Sequence, residues 1–350
     1  MTLTLGIVGA GNIAGPYLDD LQDDPNLTVK GITDVSLEKA RALADTCELR
    51  LYEDLNALLA DAEIDLVVNL TIHHAHYAVT KQCLNAGKHV YSEKPLALCY
   101  DEAKELVELA DAKGLRLGAA PFTFLYETHQ VAWEYVRAGK LGEVRLVYAD
   151  ANWGRMETWH PDPAPYYKVG PLADVGVYPL TFLTALFGPI REVTALTRTL
   201  KPKRETLGGE PFKLDDPDFW LCLFEHASGV TTRLTANFYV THSSQQESGI
   251  EIHGDDKSLF ISSWLWPGGT VEVAEFNEPY EKLPLQQSFA EKEIRWGTGL
   301  RDMVSRMLQG EPHRTTGAHA AHIVQVLDAA RTSAETGKPV QILPDWQGIT

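Results

Sequence analysis

Short apolar runs alternate with amphipathic segments over the first third of the chain. Runs rich in β-branched residues are typical of strands, and apolar positions three or four residues apart are typical of helices. The predicted strands occupy residues 3–9, 28–34, 48–52, 65–71, 88–94 and 116–121. Amphipathic segments such as AHYAVTKQCLNAG and DEAKELVELADAKG lie between them, and each ends in the glycine expected just past a helix. This alternation predicts βαβ units and a parallel sheet.

The pattern changes after about residue 122. One helical segment, residues 128–142, is followed by strand patterns without helices between them, joined by turns such as HASG and HGDD. These strands occupy residues 143–152, 191–200, 218–226, 229–238, 249–254, 257–262 and 270–276. Strands without intervening helices predict a mostly antiparallel sheet. Segments 200–218 and 277–298 are less regular and long enough to be crossover or lid loops, and helical patterns at 299–309 and 316–336 precede a last strand, KPVQIL.

Composition adds limits on partners and location. The 350 residues include 31 basic and 48 acidic ones, and the net charge of -17 argues against nucleic acid and anionic membrane surfaces as partners. Local backbone dipoles can still bind an anionic cofactor at short range. The four cysteines show no metal or disulfide spacing, and no apolar run is long enough to span a bilayer. We therefore expect a soluble, cytoplasmic protein without a metal site.

The first predicted strand runs directly into GAGNIAG, which fits the pattern G-x-G-x-x-A. Gly9 permits the tight turn, Gly11 lets the backbone approach a pyrophosphate, and Ala14 allows close packing of helix on strand. Asn12 and Ile13 lie inside the same turn, where a helix begins and its free N–H groups can face phosphates. The predicted cofactor contacts in this turn are Gly9, Gly11, Asn12 and Ile13.

Asp34 ends the second predicted strand, 20 residues after Ala14. A carboxylate at that place accepts hydrogen bonds from an adenosine ribose and repels the additional phosphate of NADP, so NAD is favoured. Lys39 is near enough in sequence to keep NADP possible. The pattern therefore predicts an α/β Rossmann dinucleotide-binding domain over residues 1–121. An α+β domain with an open, mostly antiparallel sheet is predicted over residues 122–350, with C-terminal helices that could pack back on the first domain.

Two further stretches connect the chain to a family. AGKHVYSEKPLA carries Glu93, Lys94 and Pro95 directly after a strand, and GPLADVGVYPLTFL, residues 170–183, fits G-x-L-x-D-x-G-x-[HY]. With the glycine turn, these stretches resemble the Gfo/Idh/MocA family (glucose-fructose oxidoreductase, inositol dehydrogenase and rhizopine catabolism) over essentially the whole chain. The resemblance implies an NAD(P)-dependent oxidoreductase that transfers a hydride to or from a secondary alcohol or ketone of a sugar, cyclitol or related polyol.

The resemblance also implies roles for three residues. Lys94 matches the catalytic lysine, Asp174 an acid that orients substrate and lysine, and Tyr178 the proton-transfer residue, where many members carry histidine. The chemistry agrees, because oxidation of an alcohol needs a base and a cation near one oxygen. A tyrosine pKa of about 10 is too high at neutral pH, but a nearby cation lowers it. The structural alternatives are a solvated turn at Glu93–Lys94 and a packing role for Tyr178.

Other predicted cofactor contacts are Thr71, expected near the nicotinamide ribose, His76 and Glu93. Ile72 stands where the family often has proline. His73 and His74 add to a histidine cluster, but no acid or cysteine accompanies it, so a metal is not expected. The segment from residue 152 to 171 is dense in aromatic residues that could stack on a sugar, or simply pack together in a stiff loop. Its candidate substrate contacts are Trp159, His160, Tyr166 and Tyr167.

Two other functions fit the same fold. One is an NAD-dependent glycoside hydrolase that uses transient oxidation at C3, and the other is a non-enzymatic, NAD-sensing regulatory protein. The intact Glu93–Lys94–Pro95 and Asp174 argue against the sensor, because a sensor does not need a proton-transfer set. We also expect a homodimer or homotetramer, because an open antiparallel sheet leaves one face to be covered.

Overall fold

The computed structural model describes residues 2–240, 244, 247–286 and 293–349. The chain divides into two compact units. The first unit consists of Met1–Phe122 and Arg295–Val324, and the second of Thr123–Ile294 and Gln325–Thr350.

The first unit contains a six-stranded, wholly parallel sheet with strand order β3-β2-β1-β4-β5-β6. Its strands are β1 (Leu3–Val8), β2 (Leu27–Thr33), β3 (Arg50–Leu51), β4 (Leu66–Asn69), β5 (His89–Ser92) and β6 (Leu117–Ala119). The helices between them are α1 (Ala14–Leu21), α2 (Leu37–Thr46), α3 (Leu55–Leu59), α4 (His76–Asn85) and α5 (Tyr100–Ala112). The predicted Rossmann topology is confirmed.

The second unit is built on a nine-stranded mixed sheet. Its helices are α6 (Glu127–Arg137), α7 (Ala164–Val169) and α8 (Val177–Phe187). Its strands are β7 (Val144–Asn152), β8 (Ile190–Arg198), β11 (Phe219–His226), β12 (Thr231–Asn237), β13 (Ile250–Gly254), β14 (Lys257–Ile261), β15 (Val271–Glu275), β16 (Glu281–Lys282) and β17 (Val340–Gln341). Their order is β16-β15-β14-β13-β7-β12-β11-β8-β17, and every pair except β7–β12 is antiparallel.

The mostly antiparallel sheet is therefore confirmed. Segment 200–218 is more regular than expected, because a separate hairpin forms there from β9 (Lys203–Glu205) and β10 (Pro211–Lys213). Part of the other irregular segment, 277–298, lies outside the described residues, at 287–292.

Burial explains how each sheet is held. The core of the first unit gathers side chains from β1, β4 and α1 around Leu5, Ile7 and Tyr17. Leu300, Met303 and Val304 from α9 (Thr298–Gln309) complete that core. In the second unit every residue of α8 is buried. A helix that is apolar all round must be surrounded by other parts of the fold, as α8 is.

The long C-terminal helix α10 spans Gly317–Thr336. Within the part of the chain that the structure describes, no helix combines the length and apolar character needed to cross a membrane.

Candidate functional site

The glycine turn after β1 has the geometry that a dinucleotide site requires. Gly9 has a φ of 108°, and a Cβ there would lie 2.5 Å from the carbonyl oxygen of Leu70, so only glycine fits. A Cβ on Gly11 would meet no atom within 4 Å. The N–H of Ala14 donates to the carbonyl of Gly11 at 3.1 Å and α1 begins there. The open space beside Gly11 fits the close approach of a pyrophosphate.

Asp34 lies directly after β2, and both of its carboxylate oxygens are fixed. The backbone N–H of Ala10 donates to Oδ2 and that of Ser36 to Oδ1, each at 2.7 Å. The carboxylate thus links the glycine turn to the start of α2. Each oxygen of an ionised carboxylate can accept more than one hydrogen bond, so Asp34 keeps acceptor capacity for ribose hydroxyls.

A second group of predicted residues follows β4. The Thr71 hydroxyl donates to Oδ1 of buried Asn69 at 2.6 Å. The Asn69 amide donates at 3.1 Å to both the carbonyl of His76 and the hydroxyl of Thr80. Asn69 was not predicted, yet it fixes the turn between β4 and α4 that carries Thr71.

The His76 side chain is buried between two loop carbonyls. Its Nδ1 lies 2.7 Å from the carbonyl oxygen of Pro95, and its Nε2 lies 2.9 Å from that of Thr71. Burial lowers the pKa of His76 below its ordinary value, although the two carbonyls and Glu93 act in the opposite direction. A neutral imidazole has one N–H and can donate to only one of the carbonyls. The ring nevertheless touches both loops, so it positions the Lys94–Pro95 turn relative to Thr71.

The Glu93–Lys94–Pro95 turn follows β5 at the carboxyl edge of the parallel sheet. Glu93 is 5% exposed, and its Oε1 accepts a hydrogen bond from the Tyr17 hydroxyl at 2.7 Å. Its Oε2 accepts from the backbone N–H of Lys94 at 3.1 Å, and its own N–H donates to the carbonyl of Asn69 at 2.9 Å. Buried Glu93 therefore fixes the backbone of half-buried Lys94. The Lys94–Pro95 peptide bond is cis.

In the second unit, Asp174 and Tyr178 stand four residues apart and are both nearly buried, at 6% and 7% exposure. Asp174 lies in a π-helical turn, Leu172–Gly176, and its N–H donates to the carbonyl of Gly170 at 3.0 Å. π-helical turns are frequent at functional sites. Tyr178 is the second residue of α8, and its ring centroid lies 5.2 Å from that of buried Trp264. Trp264 was missed by sequence analysis because it lies on a distant segment.

The four predicted aromatic contacts separate into two groups. Trp159, His160 and Tyr166 form one cluster, with centroids 5.3 Å, 5.8 Å and 4.8 Å apart in the three pairs. Trp159 is 44% exposed, so this cluster can present a ring face to a ligand. Tyr167 is buried instead, and its hydroxyl contacts Glu157 and Arg204. Burial raises the pKa of Tyr167 above its ordinary value, and the hydrogen bond to Glu157 raises it further.

The structure places the predicted residues as two sets. The first unit holds the glycine turn, Asp34, Thr71, His76 and the Glu93–Lys94 turn, and the second holds Asp174, Tyr178 and the aromatic cluster. In the described ranges, 2–240, 244, 247–286 and 293–349, no group of three or more His, Cys, Asp or Glu residues is arranged to bind a metal ion.

Two family models match consecutive parts of the chain. Residues 3–120 match the model described as the oxidoreductase family, NAD-binding Rossmann fold, of GFO_IDH_MocA. Residues 129–260 match the GFO/IDH/MocA C-terminal domain. Together the matches cover most of both units.

Individual relatives and a solved structure are similar to this chain in the same way. An uncharacterized oxidoreductase of Schizosaccharomyces pombe is 36% identical over 160 residues, which are 45% of this chain and only 43% of that relative's own length. The dTDP-3,4-didehydro-2,6-dideoxy-alpha-D-glucose 3-reductase of Streptomyces violaceoruber is 30% identical over 283 residues, 79% of this chain and 78% of the reductase. A crystal structure of an NAD binding oxidoreductase from Klebsiella pneumoniae superposes with a TM-score of 0.86 at 21% identity, covering 99% and 100% of the two chains, which shows the shared fold.

Proposed function

This chain belongs to the Gfo/Idh/MocA family of NAD-binding oxidoreductases, and we propose that it transfers a hydride between the nicotinamide and a secondary alcohol or ketone of a sugar, cyclitol or related polyol. The observation that carries the proposal is the Glu93–Lys94–Pro95 turn. Buried Glu93 fixes the Lys94 backbone at the carboxyl edge of the parallel sheet, where open α/β folds bind their ligands.

The residues around the glycine turn fit a dinucleotide. In the proposal, the backbone at Gly9, Gly11, Asn12 and Ile13 binds the pyrophosphate, and Asp34 accepts from the adenosine ribose. Thr71, His76, Glu93 and Lys94 line the nicotinamide end. Because Asp34 is a carboxylate held by two backbone N–H groups, it cannot turn away from a 2′-phosphate without losing them, and NAD is therefore preferred over NADP.

When bound, NAD would supply the hydride acceptor or donor at the reacting carbon. Tyr178 takes the hydroxyl proton of the substrate as general base, and Lys94 stabilises the negative charge that develops on the same oxygen. Asp174 orients a substrate hydroxyl. Packing of the Tyr178 ring against Trp264 limits its rotation, which supports a role that needs a fixed hydroxyl.

A sugar or cyclitol as substrate is supported by the exposed ring cluster. Trp159, His160 and Tyr166 combine apolar faces with polar atoms, the combination that suits a ring with C–H faces and hydroxyl edges. The Streptomyces reductase, 78% of whose length this chain matches, is named for a keto-sugar nucleotide substrate. Tyr167 contributes indirectly, because its hydroxyl is already bonded inside the fold.

We further propose a homodimer or homotetramer. On the sheet of the second unit, Leu223, Arg233 and Tyr148 stand side by side on β11, β12 and β7. Leu223 and Tyr148 are 45% and 36% exposed, as is Leu196 on β8 at 42%. A sheet face with several exposed large apolar side chains fits an interface between copies. Light scattering on purified protein measures the number of subunits, and a strictly monomeric mass would contradict this part of the proposal.

The proposal is tested by Lys94→Ala in a nicotinamide absorbance assay with NAD and NADP against aldoses, ketoses, inositols and glycosides. Removal of the cation should lower kcat by roughly 100-fold or more, the range for a group acting on the proton or charge of the transition state. The Kd for NAD should stay nearly unchanged. The matched control is Lys113→Ala, which removes an exposed lysine of the same unit.

Lys94→Ala with wild-type kcat would contradict the assigned role. Wild-type protein that releases free sugar from a glycoside without accumulating NADH would point to the glycoside hydrolase instead. Absence of turnover on every compound would contradict the proposed function as a whole.

A further inference from the structure

The exposed aromatic cluster lies on a segment that one buried guanidinium holds near both ends. Arg204 Nη1 donates to Oε1 of Glu157 at 2.7 Å and to the hydroxyl of Tyr167 at 2.6 Å. Glu157 precedes Trp159 by two residues, and Tyr167 follows Tyr166 directly. The Tyr167 hydroxyl in turn donates to the second oxygen of Glu157, which closes the triangle.

The other side of the guanidinium is bonded to residues that flank β11 and β12 and to the segment before the β9–β10 hairpin. Arg204 Nη2 donates to Oδ2 of Asp218 and to the carbonyl of Phe238, and Nε donates to the carbonyl of Lys201 at 2.9 Å. Asp218 also accepts from the backbone N–H groups of Leu200 and Lys201. The five N–H bonds of one guanidinium thus have five acceptors, which fixes its plane.

Packing around Tyr167 uses the same hairpin. The Arg204 guanidinium carbon lies 4.7 Å from the Tyr167 ring centroid. The rings of Phe212, on β10, and Phe238 lie 6.2 Å and 5.7 Å from it. The hairpin therefore contacts Tyr167 from both of its strands. β9 contributes the charged side chain of Arg204, and β10 contributes the apolar ring of Phe212.

Because these charges are buried, their main contribution is to fix the geometry of the segment and not to increase the net stability of the fold. The Arg204 and Asp218 side chains are 0% exposed and that of Glu157 is 7% exposed, so one cation is enclosed with two carboxylates. Desolvation of such groups offsets much of their mutual attraction, and well-packed apolar residues of similar size often stabilise a fold equally. Bidentate and stacked geometry, by contrast, is something that only arginine supplies.

We propose that Arg204 is a positioning residue for substrate recognition, acting through Glu157 and Tyr167 to hold the Trp159–His160–Tyr166 cluster in one orientation against the ring of a cyclic polyol. This inference rests on the proposed function. It gives segment 200–218 a role as a fixed support of the aromatic segment. The inference also predicts selectivity for cyclic over acyclic substrates, because a small acyclic polyol offers no ring face and gains no binding energy from the cluster.

The test compares Arg204→Lys and Tyr167→Phe with wild type. Arg204→Lys keeps a positive charge but cannot serve five acceptors, and Tyr167→Phe keeps the ring but removes the hydroxyl between Arg204 and Glu157. The control is Lys213→Met on β10, which breaks an exposed ion pair with Asp215 of the same hairpin region. Each protein is assayed with glycerol and with the cyclic sugar or inositol that gives the highest kcat/KM in the wild type.

For the cyclic substrate, KM should rise up to roughly tenfold in Arg204→Lys and less in Tyr167→Phe, because a misplaced aromatic cluster loses its stacking contact with the substrate ring, which weakens binding by up to about one order of magnitude. The kcat and KM for glycerol and the Kd for NAD should stay within a factor of two or three of wild type. Hydrogen exchange should rise in the amides from Glu157 to Tyr167. Lys213→Met should match wild type in every measurement.

The inference is overturned if both variants keep the wild-type KM for the cyclic substrate. Equal losses of kcat with both substrates at unchanged KM would also overturn it, because they would report a smaller folded fraction. In either case wild-type turnover leaves the proposed function intact. Wild-type protein without turnover on any polyol would instead remove the proposed function, and this inference with it. Unchanged hydrogen exchange in both variants would reject the positioning role without any substrate.

Discussion

The hydrogen bond between Tyr17 and Glu93 offers a sharp test of how the Lys94 turn is held. Tyr17 lies on α1, directly after the glycine turn, and is 0% exposed. Its hydroxyl donates to Oε1 of Glu93, which is 5% exposed. Tyr17→Phe removes this donor and changes nothing else in shape. Because no water replaces the hydroxyl at such burial, Glu93 loses a partner that it cannot recover.

The magnitude follows from the charge and the burial. Hydrogen bonds to charged groups contribute about 1.5 to 3 kcal/mol, so Tyr17→Phe should lower the free energy of unfolding by about 2 kcal/mol. In a domain of about 150 residues, 1 kcal/mol shifts Tm by roughly 2 to 4 °C. The expected loss in Tm is therefore roughly 4 to 8 °C. The less restrained Lys94 backbone should also lower kcat/KM.

The assay is urea unfolding at neutral pH, followed by far-UV circular dichroism, with Tm from calorimetry. The matched control is Tyr77→Phe, because the Tyr77 hydroxyl also donates to a glutamate, Glu105, in the same unit. That pair is exposed to solvent, and water replaces the lost hydroxyl. The control should therefore keep nearly wild-type stability and full kcat/KM.

Equal losses of stability in Tyr17→Phe and Tyr77→Phe would refute the argument, since burial is the difference on which it depends. Wild-type stability in Tyr17→Phe would refute it as well, because Glu93 would then have found another donor.

Two further predictions concern cofactor choice and pH. Asp34→Asn should raise the Kd for NAD roughly 10-fold or more, because an amide cannot accept hydrogen bonds from both Ala10 and Ser36. The Kd for NADP should change less. Fluorescence titration measures both dissociation constants. Burial lowers the pKa of His226 to about 4, and its Nδ1 faces the carbonyl of Gly188. Below about pH 6.5 the unfolded chain binds a proton at His226 that the native state excludes, so the free energy of unfolding falls on acidification, by about 2 kcal/mol at pH 5. In His226→Gln the free energy of unfolding should therefore fall less steeply with decreasing pH.

Each of these predictions has an opposite outcome that can be observed. Equal changes in the affinities for NAD and NADP would show that Asp34 does not discriminate between them. Identical slopes of unfolding free energy against pH, between about 6.5 and 4, in wild type and His226→Gln would show that His226 is not the group responsible.

Local patterns were sufficient for most of the longer strands and helices and for their order along the chain. The predicted strand at residues 88–94 contains β5, which ends at Ser92, and the N–H of Lys94 donates to the Glu93 side chain and not to a neighbouring strand. Segment 200–218 was expected to be irregular, because strands of three residues such as β9 are too short to show alternation. The parallel pairing of β7 with β12 was also beyond local patterns, which favour antiparallel neighbours.

The chemistry of the site could be predicted less completely than the fold. Asp34 was predicted as a ribose acceptor from its place at a strand end, but its bond to Ala10 depends on two strands becoming neighbours. Tyr17 and Glu93 are 76 residues apart, and Tyr178 meets Trp264 across a similar distance. Such contacts arise from the complete topology, so no short motif encodes them.

The discontinuous first unit has a consequence for synthesis on the ribosome. Its core needs Leu300, Met303 and Val304, yet 172 residues separate Phe122 from Arg295. At translation rates of about 5 to 20 residues per second, the Glu93–Lys94 turn emerges roughly 10 to 40 s before the helix that completes the core, and the glycine turn emerges roughly 15 to 60 s before it. The nascent α/β layer must pass that interval with part of its apolar surface uncovered, which makes it a natural client for chaperones during translation.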